Sequence, residues 1–510
     1  MIAGSWFDGA FDTVTAASPG DRSQYFESKR GDNGVICAHV EDFHGVLAAA
    51  QVDPRTLPDT DGTGYAAAWV DRDGSLFLAR DDMGRIPLFF RQVGAAIRFS
   101  CVVADLVREG DRIDLQIHEF AQNNLASLAG SRTEVVGIHR VPHNTCLQFT
   151  PTGLRVHRGW DPRTIEPRRR SFDESVTAVE SAIRTAVTRR TGGAQGIGVH
   201  LSGGLDSGVC AAMAAPLTNV HTAFSWSPPG DDTVDGFSES RAAREQARQF
   251  GFELVAVPEG VPTRTPLEPG LQVQSTSWRE QWVVSQAAAR GLDRLLSGWG
   301  GDEGVSTSGL RLGRAAHPRS LPQLTRLLRD SRGAPWPVHL ASTTRAAVAT
   351  MVRRRAQERG YLTGTQGLLH PPAVTDPRLN PRRAKLTGTT WMAHRVWRGG
   401  LQPRIEAWWE MGRQHGVAYR YPLLDRGVLI EAMRTPEGHW HRGEPRAVMR
   451  QIARDAGFND DAIEHAKSQP RLQPLVDRHR AEIQPLLLDR WAADADAVRA
   501  IHERWRERNQ

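Results

Sequence analysis

Apolar residues change their spacing twice along this chain, and each change marks a different kind of element. The run Gly64-Tyr-Ala-Ala-Ala-Trp-Val70, the polar break Asp71-Arg-Asp-Gly74 and the run Ser75-Leu-Phe-Leu-Ala79 predict two short strands joined by a hairpin turn, because Asp-Gly between apolar runs favours a tight turn. Short β elements of this kind run from residue 1 to about 160 and predict an α+β or β-sandwich region. Asp161 to Arg170, rich in proline and arginine, interrupts them. Ser171-Phe-Asp-Glu174 then reads as a capping box, in which the hydroxyl and the carboxylate each satisfy a free N–H of a first helical turn. Val176, Val179, Ile183 and Val187 follow at helical spacing. The boundary falls in the linker, with one domain over residues 1–165 and a second over 171–510.

After that helix the pattern becomes strand, glycine-rich turn, helix: Gly196-Ile-Gly-Val-His-Leu201, Ser202-Gly-Gly-Leu-Asp-Ser-Gly208, Val209-Cys-Ala-Ala-Met-Ala-Ala215. A further apolar strand, Val220-His-Thr-Ala-Phe-Ser225, comes next, and Leu292-Asp-Arg-Leu-Leu296 reads as another. Such alternation predicts an α/β fold with a doubly wound parallel sheet, whose ligands gather at the carboxyl ends of the strands. Beyond residue 305 the spacing is mostly helical, and Tyr361 to Arg383 is poorly patterned, as in a loop.

With 510 residues, 40% hydrophobic and 24% charged, the composition is that of a soluble globular protein of several domains. There is no run of 18 apolar residues and no basic-then-apolar start, so neither a transmembrane span nor a secretory signal is expected, and the expected location is the cytoplasm. Cys37, Cys101, Cys146 and Cys210 form no CxxC pair, which leaves a zinc ribbon, an iron–sulfur cluster and a disulfide framework without their ligands. Only Lys29, Lys385 and Lys467 are lysines among 64 basic residues. An arginine cannot stand in for a compact ammonium, so each lysine is a candidate for a specific role. Residues 311–400 carry 16 arginines and one lysine against three acids, although the whole chain is only +6. That segment is either a solvated helical face or a surface that meets an anionic ligand or peptide.

Ser202-Gly-Gly-Leu-Asp-Ser207 carries the most specific chemistry. Between a buried strand and a helix, its glycines let the backbone approach an anion, and the free N–H groups of the helix start point at it. Ser202 and Ser207 add hydroxyl donors, and Asp206 is suited to hold Mg²⁺ on phosphates. No GxxxxGK[ST] motif is present, so this is not a Walker loop.

The SGGLDS string resembles the PP-loop of the ATP pyrophosphatase superfamily, which implies cleavage of ATP between the α and β phosphates and adenylation of a carboxylate or carbonyl. Ser297-Gly-Trp-Gly-Gly-Asp-Glu303 is similar to the SGxGxDE element of asparagine synthetases and their relatives. That resemblance implies ATP and Mg²⁺ as cofactors, with Asp206 and Asp302 as the metal ligands. Leu201, Ser202, Gly203, Gly204, Asp206, Ser207, Phe224, Ser297, Gly298 and Lys467 are the implied nucleotide-binding residues. Arg420-Tyr-Pro-Leu-Leu-Asp425 resembles the family's RxPFLD segment, which shapes an acceptor pocket, and a Leu pair after proline also packs as plain architecture. Lys467 lies where the family places a catalytic lysine that neutralises phosphate charge, and a positioned ammonium would stabilise that charge. An ordinary surface lysine is the other reading.

Glu406 falls where β-lactam synthetases carry the glutamate of an acid–base dyad, which makes it a second catalytic candidate. The partner tyrosine is replaced by Trp299, whose indole donates a hydrogen bond but cannot accept a proton. Glu406 would then act alone, through a water, as an orienting group, or simply pair on a surface. Ala79-Arg-Asp-Asp-Met-Gly-Arg-Ile-Pro-Leu-Phe-Phe90 with Phe99-Ser100 resembles the later part of a class II amidotransferase (Ntn) domain, but residue 2 is Ile rather than Cys. The expectation is a degenerate amidotransferase-like α+β sandwich without glutaminase activity, and an attacking amine that comes from the substrate.

Leu401-Gln-Pro-Arg-Ile-Glu-Ala-Trp-Trp-Glu-Met-Gly412 and Arg413 to Arg426, together with Ser297 to Glu303, resemble lasso peptide cyclases. These macrolactam synthetases join an Asp or Glu side chain of a leader-cleaved precursor peptide to its N-terminal amine, releasing AMP and pyrophosphate. The implied partners are the precursor, a leader peptidase and a leader-recognition protein, with no nucleic acid and no membrane insertion. A β-lactam-synthetase-like or other small-molecule amide ligase and an ammonia-dependent asparagine synthetase are the alternatives. Trp278, Trp282, Trp299, Trp391, Trp397, Trp408 and Trp409 cluster near the motifs, as core or as the lining of a pocket large enough for a peptide.

Overall fold

The computed structural model describes residues 2–7, 10–16, 26–31, 34–39, 53–59, 64–115, 117, 131–217, 219–227, 239–258, 277–305, 401–442, 444, 446–458, 463 and 496. The basic segment 311–400 and the segment 361–383 lie outside these residues.

Among the described residues, eleven strands precede the linker: β1 (Ile2–Phe7), β2 (Ala10–Ala16), β3 (Phe26–Gly31), β4 (Gly34–His39), β5 (Ala66–Val70), β6 (Leu76–Arg80), β7 (Phe89–Val93), β8 (Ala96–Ser100), β9 (His139–Arg140), β10 (Thr145–Thr150) and β11 (Gly153–Arg158). They form one antiparallel sheet in the order β2-β1-β8-β7-β9, a second in the order β11-β10-β6-β5, and the separate hairpin β3–β4. The expected hairpin is β5–β6, paired from Ala66–Arg80 to Val70–Leu76. Its turn closes because the Asp71 carboxylate accepts the N–H groups of Asp73 and Ser75 at 3.1 and 2.9 Å, while Gly74 takes φ 75°. Trp6, Phe90, Ile97 and Phe99 from the first sheet share a core with Ala68, Leu78, Leu147 and Phe149 from the second.

Helix α1 (Phe172–Thr191) starts at the predicted box: Ser171 Oγ accepts the Glu174 N–H at 3.1 Å, and Glu174 Oε2 accepts the Ser171 N–H at 2.6 Å. Val176, Val179, Ile183 and Val187 are all buried. The other helices are α2 (Leu205–Ala214), α3 (Glu239–Phe250), α4 (Ser277–Ala289), α5 (Gln402–His415), α6 (Arg426–Arg434) and α7 (Ala447–Asp455).

A parallel sheet carries this part of the chain: β12 (Ile197–His200), β13 (Val220–Ser225), β14 (Glu253–Ala256), β15 (Arg294–Leu296) and β16 (Ala418–Arg420), in the order β14-β13-β12-β15-β16. The chain runs outward from β12 to β14 and returns on the other side of β12. The order therefore reverses between β12 and β15, and the loops after these two strands flank one crevice. Those loops are the SGGLDS and SGWGGDE segments. Gly198 is needed at the sheet centre, because a Cβ there would stand 2.6 Å from Phe224 and 2.8 Å from Leu295. Strand β16 is not visible in the pattern beyond residue 305, where mostly helices are expected. Three residues are too few to show a period of two.

Among the described residues no helix is long and apolar enough to cross a membrane. Cys101, Cys146 and Cys210 are buried free thiols.

Candidate active site

Gly204 caps α2, and Ser202, Gly203 and Gly204 fold the chain tightly from β12 into that helix. Gly203 has φ 79°, and a Cβ there would meet Ala242 at 2.7 Å and the backbone of Glu239 and Ala243 at 3.0 Å. The two hydroxyls close on one another: Ser202 Oγ and Ser207 Oγ are 2.9 Å apart, and Ser207 Oγ also accepts the Ser202 N–H at 3.2 Å and donates to the Gly204 carbonyl at 3.2 Å. A helix start with paired hydroxyls and close backbone is an anion cradle by its dipole and its free N–H groups.

The second loop lies directly on the first. A Cβ on Gly298 would stand 2.5 Å from the Ser207 nitrogen, and one on Gly301 would stand 2.4 Å from the Asp206 carboxyl carbon. Gly300, at φ 92°, is pressed against Leu424. Ser297, at the end of β15, donates its N–H to the Arg420 carbonyl at 2.9 Å, and its hydroxyl accepts the Trp299 N–H at 3.2 Å. Glycine in this loop is therefore a packing requirement that brings Asp302 over the start of α2.

Asp206 and Asp302 meet at the guanidinium of Arg446. Arg446 donates from Nη2 to Asp206 Oδ1 at 2.5 Å, and its Nη1 lies 3.4 Å from Asp302 Oδ1. Burial opposes the charge of this guanidinium, yet Asp206 and Asp302 outweigh it and hold its pKa above the usual arginine range. Arg446 stands just before α7 with φ 62°, one of two non-glycine residues in the left-handed region among the described residues. Such a backbone persists only where neighbours impose it. Two hard carboxylate donors that already share one cation are a donor set that fits Mg²⁺. Asp206 and Asp302 would be its protein ligands, and phosphate oxygens and water would supply the rest.

Leu201 and Phe224, expected beside the nucleotide, have side chains buried in the core. The Leu201 N–H donates to the Phe224 carbonyl at 2.8 Å. A nucleotide contact at these two positions would fall to main chain rather than side chain. Lys467 lies outside the described residues.

Glu406, open between a catalytic and a pairing role, is placed by the fold in an ion pair. Its carboxylate is buried between two arginines of the N-terminal strands: Arg80 Nη1 donates to Oε1 at 3.0 Å, and Arg140 donates from Nη2 to Oε2 at 3.0 Å and from Nε to Oε1 at 3.2 Å. Burial pushes its pKa up, but Arg140 and then Arg80 outweigh burial and hold it below the usual carboxylate range. A carboxylate saturated by two guanidiniums is a poor proton acceptor. Arg80 donates further to the carbonyls of Ile86, Val141 and Gly84, so the pair is fixed in the β6–β7 region.

Asp425 of the Arg420–Asp425 segment is architectural. It accepts from Arg189 and from Arg190 at 2.9 Å, and it caps α6 through the Gly427 N–H at 3.0 Å. Arg85, inside the amidotransferase-like segment, donates to the Leu424 carbonyl at 2.9 Å and pairs with Asp81 and Asp82. The two segments that resemble different domains of one family thus bind each other.

Four residues beside Trp408 were not singled out in the sequence with it, nor was His200. His200, Glu280, Trp226, Tyr419 and Tyr421 meet Trp408 at the carboxyl edge of the parallel sheet. His200 ends β12 two residues before Ser202 and was a readable signal, because a polar ring at the end of a buried strand is unusual. Trp299 packs beside Trp408, with the Arg404 guanidinium 4.0 Å over its ring. Trp409 instead joins the core of the N-terminal sheets. Trp282 packs against the core of the parallel sheet. Trp391, Trp397 and the side chain of Trp278 lie outside the described residues.

Comparison with known proteins matches residues 178–505 to the asparagine synthase family. Asparagine synthetase [glutamine-hydrolyzing] 3 of Bacillus subtilis (strain 168) is 31% identical over 153 residues, 29% of this chain and 25% of that protein. Carboxyethyl-arginine beta-lactam-synthase of Streptomyces clavuligerus is 28% identical over 254 residues, 46% of this chain and 45% of that protein. The chain thus spans a quarter to just under half the length of these relatives. A U34-tRNA thiolase structure from Methanococcus maripaludis aligns at 12% identity with a TM-score of 0.21, covering 49% of this chain and 80% of that one. With the family matched over most of the chain, and with its two glycine-rich loops meeting over a pair of carboxylates, this protein belongs to the asparagine synthase family.

Proposed function

We propose that this protein is a cytoplasmic ATP- and Mg²⁺-dependent ligase that adenylates an Asp or Glu side chain of a leader-cleaved precursor peptide. The peptide's own N-terminal amine then displaces AMP and closes a macrolactam. The observation that carries the adenylation is the convergence of Asp206 and Asp302 on one cation position at the start of α2. ATP supplies the activated leaving group, and Mg²⁺ held by the two aspartates would balance the phosphate charge. The protein's own work is positional. N–H groups at the start of α2 and the hydroxyls of Ser202 and Ser207 hold phosphate oxygens, and Lys467 neutralises charge that develops on them. The buried aromatic group beside the loop excludes water from the activated carboxyl.

Peptide closure is favoured within the family by the stretches Leu401–Gly412 and Arg413–Arg426 and by Trp299, which removes the proton-accepting position of the β-lactam dyad. A leader peptidase and a leader-recognition protein are the partners this reading requires. The second reading, a small-molecule ligase of the β-lactam synthetase kind, is supported by the similarity to the Streptomyces clavuligerus enzyme.

Mass spectrometry of a candidate precursor incubated with this protein, its peptidase partners, ATP and Mg²⁺ tests the proposal, with AMP and pyrophosphate assayed in parallel. The expected result is loss of one water from the core peptide with one AMP formed. AMP formation with an intact peptide, but with consumption of an added β-amino acid, assigns the small-molecule reading instead.

A further inference from the structure

The ligase reading leaves the attacking amine without a base, because Trp299 cannot accept a proton and Glu406 is locked between Arg80 and Arg140. The structure holds another pair of titratable groups close to the loop. His200 ends β12 two residues before Ser202, and its Nε2 lies 3.0 Å from Oε1 of Glu280, a fully buried carboxylate on α4. Tyr419, on β16, donates its hydroxyl to the same Oε1.

Around this pair is a box of rings. The His200 imidazole lies 5.7 Å from Trp408 in a stacked arrangement, 5.5 Å from Trp226 and 6.0 Å from Tyr419. Tyr421 stacks on Trp408 at 6.2 Å. Several polar atoms of the box are buried without a hydrogen-bond partner: Glu280 Oε2, Tyr421 Oη, Trp226 Nε1, Trp299 Nε1 and His200 Nε2, which is near Glu280 Oε1 but not aligned with it as a hydrogen bond. Such atoms occur elsewhere among the described residues too, but here they gather around Trp408 and His200, where one ligand could complete several of them. The π faces and the open carboxylate oxygen are matched to a primary ammonium group.

We propose that this box holds the nucleophilic amine and that the His200–Glu280 pair takes its proton. The inference rests on the ligase reading above. The amine nitrogen attacks the carbonyl carbon of the acyl adenylate and the C–N bond forms. The bond from carbon to the phosphate oxygen breaks, and AMP leaves with that electron pair. The amine proton passes to the His200 imidazole, whose positive charge Glu280 stabilises. Among the described residues, the fields of Arg404 on α5 and Arg420 on β16 reach this group, Glu303 acts on Arg404, and Tyr419 and Tyr421 are titratable neighbours.

The test separates activation from transfer. Hydroxylamine, already neutral near physiological pH, intercepts an acyl adenylate without a base, so hydroxamate formation reports activation alone. Full-length His200→Gln and Glu280→Gln are compared with wild type, using ATP and a core peptide with a free N-terminus. Both variants should form hydroxamate at close to the wild-type rate. Their amide formation should fall by about 10²- to 10⁴-fold, the range of general base catalysis. It should recover as the pH rises past about 8, where an α-amine deprotonates unaided. Unchanged amide formation in either variant, or loss of hydroxamate and amide together, overturns the proposal. A wild-type protein that forms no hydroxamate and exchanges no pyrophosphate overturns the ligase reading itself, and the base assignment with it.

Discussion

Glu406→Gln decides whether the glutamate before the Arg420–Asp425 segment is chemical or architectural. In the fold its carboxylate neutralises Arg80, which is fully buried, and Arg140, which is nearly so. Glutamine keeps the shape but leaves two guanidiniums without a counter-charge. Removing one partner of a buried ion pair costs about 3–5 kcal/mol, against a total stability of about 5–15 kcal/mol for a domain. With a urea slope of about 2–3 kcal/mol per molar, the midpoint of the affected transition should drop by about 1–2.5 M. Acid should remove the same contribution from wild type. Glu406 has a depressed pKa in the folded state, so its stabilisation is present above the ordinary carboxyl range and is lost as pH falls through the folded value. The difference in midpoint between wild type and Glu406→Gln should therefore shrink below about pH 4. Urea titrations followed by tryptophan fluorescence at several pH values read this out, with pyrophosphate exchange measured on the same samples below the transition. A variant with the wild-type midpoint but no turnover would refute the architectural role and return Glu406 to the chemistry.

Gly298→Ala should disrupt nucleotide binding without any change of charge, because the new methyl would overlap the main chain of Asp206 and Ser207. Displacing a catalytic group by about 1 Å can lower turnover on the order of 10²-fold, and an unchanged pyrophosphate exchange rate would count against the close approach of the two loops. Asp302→Asn should weaken Mn²⁺ binding measured by electron paramagnetic resonance in the presence of ATP, whereas wild-type affinity would sink the two-carboxylate assignment. Arg446→Gly removes both the competing guanidinium and the strained φ, so Mn²⁺ affinity without nucleotide should rise by about 10- to 100-fold, equivalent to one charge-assisted hydrogen bond of about 1.5–3 kcal/mol. Unchanged affinity would mean that Arg446 does not compete for the site.

Elements with a local cause were legible before the fold was known. The β5–β6 hairpin follows from Asp71 and Gly74, the start of α1 from Ser171 and Glu174, and the turn from β12 into α2 from Ser202 to Gly204. Each depends on hydrogen bonds between residues a few positions apart, which a sequence displays directly. Strand β16 was not legible, since Ala418–Arg420 is defined by its pairing to β15 and by nothing in its own pattern.

By itself the sequence determined the two glycine-rich loops, the acidic pair Asp206 and Asp302, and the family to which they belong. Their types and spacings are chemical requirements that survive in one dimension. Only the tertiary structure decided where Glu406 points, that Arg446 bridges the two aspartates from 240 residues beyond the first of them, and that Glu280 meets His200 at the sheet edge. Contacts between residues so distant in the chain depend on the direction of a side chain at the end of its helix or strand. That direction is set by packing across the whole core rather than by any neighbour in sequence.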